Sequence, residues 1–144
     1  MTLWFKDYTL AELQEQREKP TLATFLGMEF TEIGPDYLKA TLPVDEKTRQ
    51  IHGILHGGAT CVLTETLGSV ASLLVVNPET QRAVGSIIHT NHLRPVKSGL
   101  VTGVCKPVHV GKTKHVWDIQ VFSEDNKLVA RTELTCAVID KRDS

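Results

Sequence analysis

The sequence predicts an α+β fold in which an antiparallel sheet of about six strands wraps around one long central helix. Residues 54–76 form a nearly continuous apolar stretch, long enough for a core helix. A hairpin pattern precedes this stretch, and four strand-like runs follow it with short linkers between them. Because the helix is apolar on nearly every side, we expect a second copy of the chain to cover its outer face, in a homodimer or a dimer of dimers.

Two short helices are predicted at the N-terminus. Residues 9–19 form the first, because Thr9 and Glu12 have the spacing of a capping box. Residues 21–27 add about one further turn, which Gly27 ends.

The strands are predicted from alternating polar and apolar residues. Residues 28–44 alternate on both sides of a Gly-Pro-Asp turn at residues 34–36, which predicts a hairpin. Residues 45–56 are polar and irregular, as in a loop. Four runs follow the helix and are expected to form a meander, at residues 82–96, 100–110, 113–122 and 127–140.

The composition is that of one ordinary globular domain, which we assign to residues 1–144. Apolar residues make up 41% of the chain and charged residues 23%, so a core can form without disulfides or metals. The formal net charge of −1 gives no basic footprint for nucleic acid. No run of lysine and arginine exceeds two residues, and no signal peptide is apparent, so we expect a cytoplasmic protein without a membrane partner.

The cysteines and the long apolar stretch fit the same compartment. Cys61, Cys105 and Cys136 lie far apart in apolar surroundings, as small core residues in a reducing environment do. The apolar stretch contains Glu65 and a glycine pair and lacks aromatic or basic flanks, so we do not expect it to span a membrane.

Glu65 is the one charge in the central helix. Burying a lone carboxylate is costly unless it is paired. Glu65 therefore pairs with an arginine, lies on an exposed helix face, or serves a function. Ser69 lies four residues further along the same face, where its hydroxyl could hold a water molecule or orient the carboxylate.

The start of the helix offers donors for a developing negative charge. Gly57 and Gly58 bare the N–H groups of the helix start, beside His56. Gln50 adds a neutral amide in the preceding loop. Gly57 and Glu65 lie about 12 Å apart along a helix, so one chain cannot bring both to one carbonyl. Two such helices, antiparallel across a two-fold axis, would do so and complete the site twice.

These residues resemble the signature of the hotdog-fold acyl-CoA thioesterases, of the 4-hydroxybenzoyl-CoA thioesterase type. The resemblance extends over nearly the whole chain and is carried by PVDEKTRQ, LHGGA, ETLGS, VGS, HLRPV and GVCKPVHVGK in this order. It is strongest to the branch that contains the menaquinone-pathway 1,4-dihydroxy-2-naphthoyl-CoA thioesterases and the enterobactin-pathway proofreading thioesterases.

The resemblance implies five catalytic residues. Glu65 matches the catalytic carboxylate, which acts as nucleophile or as general base for water. The Gly57 N–H matches the oxyanion donor, and Gln50 matches the side-chain amide near the thioester oxygen. His56 matches the histidine that positions the carbonyl or supports the loop. Ser69 matches the hydroxyl that holds the attacking water.

The resemblance also implies residues that bind the substrate. His92 would line the acyl pocket, and residues 92–95 and 109–114 match segments that touch the CoA arm. The substrate-binding set is His92, Leu93, Arg94, Pro95, Gly85, Ser86, His109, Val110, Gly111, Lys112, Thr113 and Lys114. Its cations suit the CoA phosphates.

Two residues depart from the family pattern. His52 stands where relatives carry phenylalanine in a Pro-Phe-Gly motif, and His89 stands where they carry asparagine. His89 and His92 point to opposite faces of a regular strand, so both cannot line one pocket without a bulge. The two departures leave the acyl preference open.

The implied function is hydrolysis of acyl-CoA thioesters, with an aromatic or bicyclic acyl group such as 1,4-dihydroxy-2-naphthoyl or hydroxybenzoyl. Acyl groups on a carrier protein are a second option, and no cofactor is needed. One alternative is a hotdog dehydratase or hydratase acting on 3-hydroxyacyl or enoyl thioesters, although its usual HFPG-type loop is missing. Another is a non-catalytic acyl-CoA binding module, which the retained Glu65–Ser69 pair disfavours.

Other chemistries have weaker support. The pairs His52/His56 and His109/His115 lack a third metal ligand at a suitable spacing, so no metal site is expected. No G-x-S-x-G motif is present for a serine hydrolase. Cys61 has no neighbour that would stabilise a thiolate nucleophile.

Overall fold

The structure is a computed structural model that describes residues 1–15 and 18–143, and it has the predicted α+β architecture. The six strands form one antiparallel sheet in the order β1-β2-β4-β5-β6-β3, packed around the long helix α3. The elements are α1 (Leu10–Glu15), α2 (Leu22–Phe25), β1 (Glu29–Ile33), β2 (Leu38–Pro43), α3 (Gly57–Val75), β3 (Gln81–His92), β4 (Leu100–Val110), β5 (Lys114–Phe122) and β6 (Leu128–Asp140). A 3₁₀ turn, Lys141–Asp143, follows β6.

The central helix begins at Gly57, after His56 as its N-cap, and is three residues shorter at its start than the apolar stretch. The side chains of Leu63, Leu67 and Ala71 are fully buried against the sheet. In the described part of the chain, α3 is the one helix long and apolar enough to cross a membrane, and 56% of its apolar window is buried. The same length and composition are found in core helices of globular proteins.

The N-terminal helices follow their caps. The Thr9 N–H donates to Glu12 Oε2 at 2.7 Å and the Glu12 N–H to Thr9 Oγ1 at 3.2 Å, so the predicted capping box is confirmed. The described part of α1 is Leu10–Glu15; residues 16–17 of the predicted helix lie outside the described residues, and residues 18–19 are not α-helical. The helix α2 lies within the predicted residues 21–27.

The hairpin of β1 and β2 turns at residues 34–36 as predicted. The expectation of a four-strand meander is wrong for β3, which pairs with β6 at the sheet edge, while β4, β5 and β6 form the meander. The strand β3 ends at His92, after which the Leu93 and Arg94 N–H groups both donate to the Val129 carbonyl and the regular ladder is lost. Residues 93–99 then pass the helix start, where the Leu55 N–H donates to the Val96 carbonyl at 2.7 Å, and this longer connection reaches β4 across the end of the sheet.

The N-terminal segment covers part of α3 in the same chain. The Phe5 N–H donates to the Leu74 carbonyl at 2.7 Å. The Trp4 indole donates to the Gly34 carbonyl at 2.7 Å and stacks on Trp117. The chain's own N-terminus therefore supplies part of the cover that the sequence analysis expects from a second copy of the chain.

Buried polar groups in the core are hydrogen-bonded. Ser72 Oγ lies 2.9 Å from His115 Nδ1 and accepts from Trp117 Nε1 at 2.7 Å, and all three residues are buried. Cys105 and Cys136 are buried, as predicted, and burial raises the pKa of both thiols. Cys61 is half-buried.

Candidate functional site

The start of α3 keeps one backbone donor free. His56 Nδ1 accepts from the Gly58 N–H at 2.7 Å and so caps the helix. Among the described residues, the Gly57 N–H has no hydrogen-bond partner. It lies at the positive end of the helix dipole, where an oxyanion is stabilised.

The His92 ring closes over the same helix start. A Cβ placed on Gly57 would lie 2.9 Å from His92 Nε2, so only glycine fits here without moving the ring. His92 faces the helix from the end of β3, opposite Ala130 on β6. The strand and the helix thus bring the predicted oxyanion donor and the predicted pocket histidine together.

A cavity of about 480 Å³ opens in front of this helix start. It is lined by Gln50, Gly57, His92 and the Leu93–Pro95 segment, together with nearby apolar residues. The Gln50 side-chain oxygen accepts from the His52 N–H. Because this bond occupies the oxygen, the Gln50 NH₂ group is the part of the amide left to donate to a ligand.

Glu65 lies on the exposed side of α3, in the middle of the helix. Within the described part of the chain its carboxylate makes no hydrogen bond and no ion pair, so the arginine-paired alternative is excluded there. Its Oε1 lies 2.7 Å from the place that a Cβ on Gly85 would occupy. Gly85 therefore provides the space in which the carboxylate sits.

Ser69 is half-buried, one turn after Glu65. Burial raises the pKa of the Cys136 thiol, and hydrogen bonding with Ser72 and Ser69 acts to lower it. The structure places Ser69 on the same helix face as Glu65 and gives no direct bond between their side chains.

The candidate site is divided in two within one chain. Gly57 and His92 form one half-site, at the C-terminal end of β3, and Glu65 and Gly85 form the other, seven residues earlier on the same strand. A second cavity, of about 470 Å³, opens beside Glu65 and shares no lining residue with the first. The described residues of a single chain therefore keep the acid apart from the donors. This separation is the one that the helix spacing predicts.

The two segments expected at the CoA arm also lie at opposite ends of the sheet. Arg94 lies in the connection after His92, whereas Lys112 lies in the β4–β5 turn, near the start of β3. In that turn a Cβ on Gly111 would lie 2.7 Å from His109 Nε2, so the turn is tight. The remaining members of this segment are Val110, Thr113 and Lys114.

Two other predicted residues lie away from these cavities. His89 points to the outer face of the sheet, beside Arg131 and Glu133. The expectation that His89 and His92 face opposite sides is confirmed, since the bulge in β3 lies at residues 85–87, before both histidines. Ser86 lies in this bulge, and its hydroxyl donates to the Thr135 carbonyl at 3.2 Å.

The sequence does not identify the second wall of the cavity beside Glu65. The helix α3 forms one wall, and the N-terminal segment forms the other with Leu13, Lys19, Leu22 and Phe30. Helical and strand periodicity marks several of these residues as apolar, but no local pattern shows that they face Glu65. Over residues 1–15 and 18–143, no cluster of three His, Cys, Asp or Glu side chains could hold a metal ion.

Comparison with known proteins identifies the family. The Thioesterase superfamily profile matches residues 52–130, more than half of the chain. The chain belongs to this superfamily. The thioesterase also has close relatives over nearly its full length. A 1,4-dihydroxy-2-naphthoyl-CoA hydrolase of Escherichia coli is 43% identical over 137 residues, 95% of this chain and 99% of the relative. The proofreading thioesterase EntH of Cronobacter turicensis is 40% identical over 137 residues, 95% of this chain and 98% of the relative.

Solved structures agree with this assignment. A crystal structure of a thioesterase from Haemophilus influenzae superposes with a TM-score of 0.91 at 41% identity and covers 96% of each chain. A mutant thioesterase from Pseudomonas aeruginosa superposes with a TM-score of 0.93 at 39% identity, covering 96% of this chain and 99% of that one. The thioesterase therefore has the hotdog fold, and its reaction is hydrolysis of a thioester bond.

Proposed function

We propose that this thioesterase hydrolyses aromatic acyl-CoA thioesters at two equivalent sites, each shared between two copies of the chain. Glu65 of one copy would act on a carbonyl held by Gly57 and Gln50 of the other. The observation that carries the proposal is that the Glu65 carboxylate and the Gly57 N–H, which have no partner among the described residues, lie beside Gly85 and His92, seven residues apart along β3. Neither half-site holds a complete set of groups for the reaction.

The edge of the sheet supplies the surface for a second copy. The strand β3 is the last of the sheet, and its outer edge has no partner strand among the described residues. Ile87 is 65% exposed, and Val84 and Ile88 are also exposed. A long, apolar, unpaired edge strand favours pairing with another strand.

An antiparallel pairing of two β3 strands would join the half-sites. A two-fold axis near Ile88 lies midway between Gly85 and His92, so it would set Gly85 of one copy near His92 of the other. The carboxylate beside Gly85 would then approach the donors beside His92. The same pairing would bring Lys112 of one copy to the side of the sheet where Arg94 of the other lies, as a shared CoA site requires.

The proposed chemistry uses groups already on these surfaces. The thioester oxygen accepts hydrogen bonds from the Gly57 N–H and the Gln50 amide, which stabilise the oxyanion as the carbon becomes tetrahedral. Glu65 attacks this carbon, and water then cleaves the resulting anhydride, or Glu65 removes a proton from water that attacks directly. In both routes the C–S bond breaks, the CoA thiolate leaves and takes up a proton, and the acid is released. Ser69 would hold the water.

The substrate class rests on the relatives and on the cavity. The relatives named above include a 1,4-dihydroxy-2-naphthoyl-CoA hydrolase. The cavity beside Glu65 has about 470 Å³ and mainly apolar walls, which suits a flat aromatic or bicyclic acyl group such as hydroxynaphthoyl or hydroxybenzoyl. An acyl carrier protein is a second thiol carrier, since it presents the same pantetheine arm.

Three unpaired cysteines support a cytoplasmic location.

Mixing of inactive variants tests the shared site. Glu65→Gln and Gln50→Ala chains, each nearly inactive alone, are unfolded, mixed in equal amounts and refolded together. Random pairing gives one intact site in half of the dimers, so activity should return to about a quarter of that of the natural protein. We choose Gln50→Ala because a side chain on Gly57 would strike His92.

Controls separate this result from an effect of refolding. Each variant refolded alone should stay inactive, and the natural chain taken through the same steps should keep its activity. An exposed carboxylate elsewhere, changed as Glu46→Gln, should leave turnover unchanged. No recovery in the mixture, when hybrid dimers are detected by mass spectrometry, would place each site within one chain.

A further inference from the structure

The cavity beside Glu65 has walls of different character. One wall is the face of α3 that carries Val62, Glu65 and Val70, and the other is the N-terminal segment from Leu13 to Phe30. Most of the lining is apolar, and Lys19 is the one cationic residue among the lining residues that the structure describes. The described lining of the cavity therefore contains one carboxylate and one ammonium group among apolar residues and three threonines.

Lys19 is held by its backbone, although its side chain is exposed. The Lys19 carbonyl accepts from Thr24 Oγ1 at 3.0 Å. Thr24 is also part of the capping box of α2, in which the Thr21 N–H donates to Thr24 Oγ1 at 2.9 Å. Among the described residues, the Lys19 ammonium has no carboxylate partner. The cavity wall thus carries a cation that has no carboxylate partner in the described part of the chain and whose backbone is held by a hydrogen bond.

The position of Glu65 assigns a part of the substrate to this cavity. The carbonyl carbon must lie beside Glu65, and the thiol side of the thioester leads away towards the donors and Arg94 of the other copy. The acyl side must then enter the cavity that Glu65 lines. An acyl group with a negative substituent meets repulsion from Glu65 there, which a cation in the same lining would offset.

We propose that Lys19 is a specificity-determining residue, which favours acyl groups with an anionic substituent, a carboxylate or an ionised hydroxyl, at the end remote from the thioester. The inference rests on the proposed function. The ammonium group offsets the charge of Glu65 and pairs with the substituent, while the apolar walls hold the ring. Neutral acyl groups of the same shape gain only the contact with the walls.

Two substrates of matched shape test this role, 4-carboxybenzoyl-CoA and 4-methylbenzoyl-CoA. The measured quantity is kcat/KM for 4-carboxybenzoyl-CoA divided by kcat/KM for 4-methylbenzoyl-CoA. In Lys19→Gln the ratio should fall by about three- to tenfold, as expected for loss of one partly exposed charge contact. Lys19→Glu should lower it further, and Lys19→Arg should keep it. High salt should reduce the preference of the natural protein.

The control is Lys106→Gln, which removes an exposed lysine from the outer face of the sheet, away from the cavity. This variant should keep the ratio of the natural protein. An unchanged ratio in both Lys19→Gln and Lys19→Glu, with activity on 4-methylbenzoyl-CoA intact, would overturn the role of Lys19 and leave the proposed function standing. Absence of turnover by the natural protein on every acyl-CoA tried would overturn the proposed function, and this inference with it.

Discussion

At the scale of single residues, the candidate site depends on two glycines as much as on its polar side chains. Gly57 leaves room for the His92 ring, and Gly85 leaves room for the Glu65 carboxylate. Neither glycine has the positive φ angle that makes glycine necessary for the backbone. Their lack of a Cβ therefore matters for the site and not for the path of the chain.

A methyl group on Gly85 should disturb the acid selectively. In Gly85→Ala the new Cβ would lie 2.7 Å from Glu65 Oε1, so the carboxylate must move away. Because the atom that must move is the end of a flexible side chain, we expect the fold to remain while kcat falls by about tenfold or more. Steady-state kinetics and thermal unfolding measure the two effects. A kcat equal to that of the natural protein would show that this carboxylate position is not the reactive one.

The sequence identifies the polar residues of the site better than their surroundings. Glu65 is evident because one charge stands in an apolar helix, and Gly57 because a glycine pair starts that helix. Lys19 gives no such signal, because an exposed lysine is ordinary in any sequence. Its place in the cavity depends on how the N-terminal segment folds back over α3, which is a long-range contact.

At the scale of elements, the capping of α3 by His56 links the fold to the site. The imidazole satisfies the Gly58 N–H, while the neighbouring Gly57 N–H has no partner within residues 1–15 and 18–143. One donor of this helix start therefore serves stability, and the other is the one that we propose binds the thioester oxygen.

Removal of this cap should cost stability. His56→Ala leaves the Gly58 N–H without its acceptor, and we expect unfolding to become easier by about 1 kcal/mol. His56→Asn should retain most of the stability, because asparagine is a good N-cap. Urea unfolding of the three proteins measures the difference. Equal stability of the alanine variant and the natural protein would contradict the capping role.

The contact between α3 and β5 should make stability depend on pH. Burial lowers the pKa of His115, while a hydrogen bond to the Gly111 carbonyl acts in the opposite direction and His109 adds to the lowering. The unfolded chain therefore binds a proton at His115 before the folded chain does. The contribution of neutral His115 to stability is therefore complete above about pH 6.5. It is lost as the pH falls from there through the lowered pKa that His115 has in the folded protein.

The variant His115→Gln removes this titration. We expect the decrease in unfolding free energy between pH 7.5 and pH 5.5 to be smaller in the variant than in the natural protein. Urea unfolding at the two pH values measures both decreases. The absolute stability of the variant does not enter the comparison, because each protein is its own reference. An equal decrease in both proteins would exclude His115 as a source of the pH dependence.

Elements that local contacts define were predicted more accurately than their arrangement. The α3 helix, the β1–β2 hairpin and the capping box at Thr9 follow from residues close in sequence. The place of β3 does not, because it depends on the strand ending at His92 and on the connection passing β6 and β5 to reach β4 in the interior of the sheet. Pro95 marks that end in the sequence, but a proline does not state which edge the next strand joins.

At the scale of the whole molecule, activity should require association through β3. Ile87→Lys places a charge on the exposed edge strand and should give monomers with little or no thioesterase activity, although Glu65 and Gly57 are unchanged. Light scattering after size exclusion and an acyl-CoA assay measure the two properties. Val108→Lys is the matched control, because Val108 is 62% exposed, close to the 65% of Ile87, and lies on β4. The control should keep dimers and activity, and an active Ile87→Lys monomer would refute the shared site.

The order of elements along the chain has a consequence for biosynthesis. The long apolar helix α3 leaves the ribosome before β3, β4, β5 and β6, which are four of the six strands around it. Until the chain as far as about residue 140 has emerged, most of the strands that bury α3 are absent, so the nascent chain presents an apolar surface that chaperones recognise. A ribosome stalled at the point where α3 has just emerged from the exit tunnel should therefore hold a chaperone substrate, whereas one stalled on a C-terminal extension should hold a folded domain.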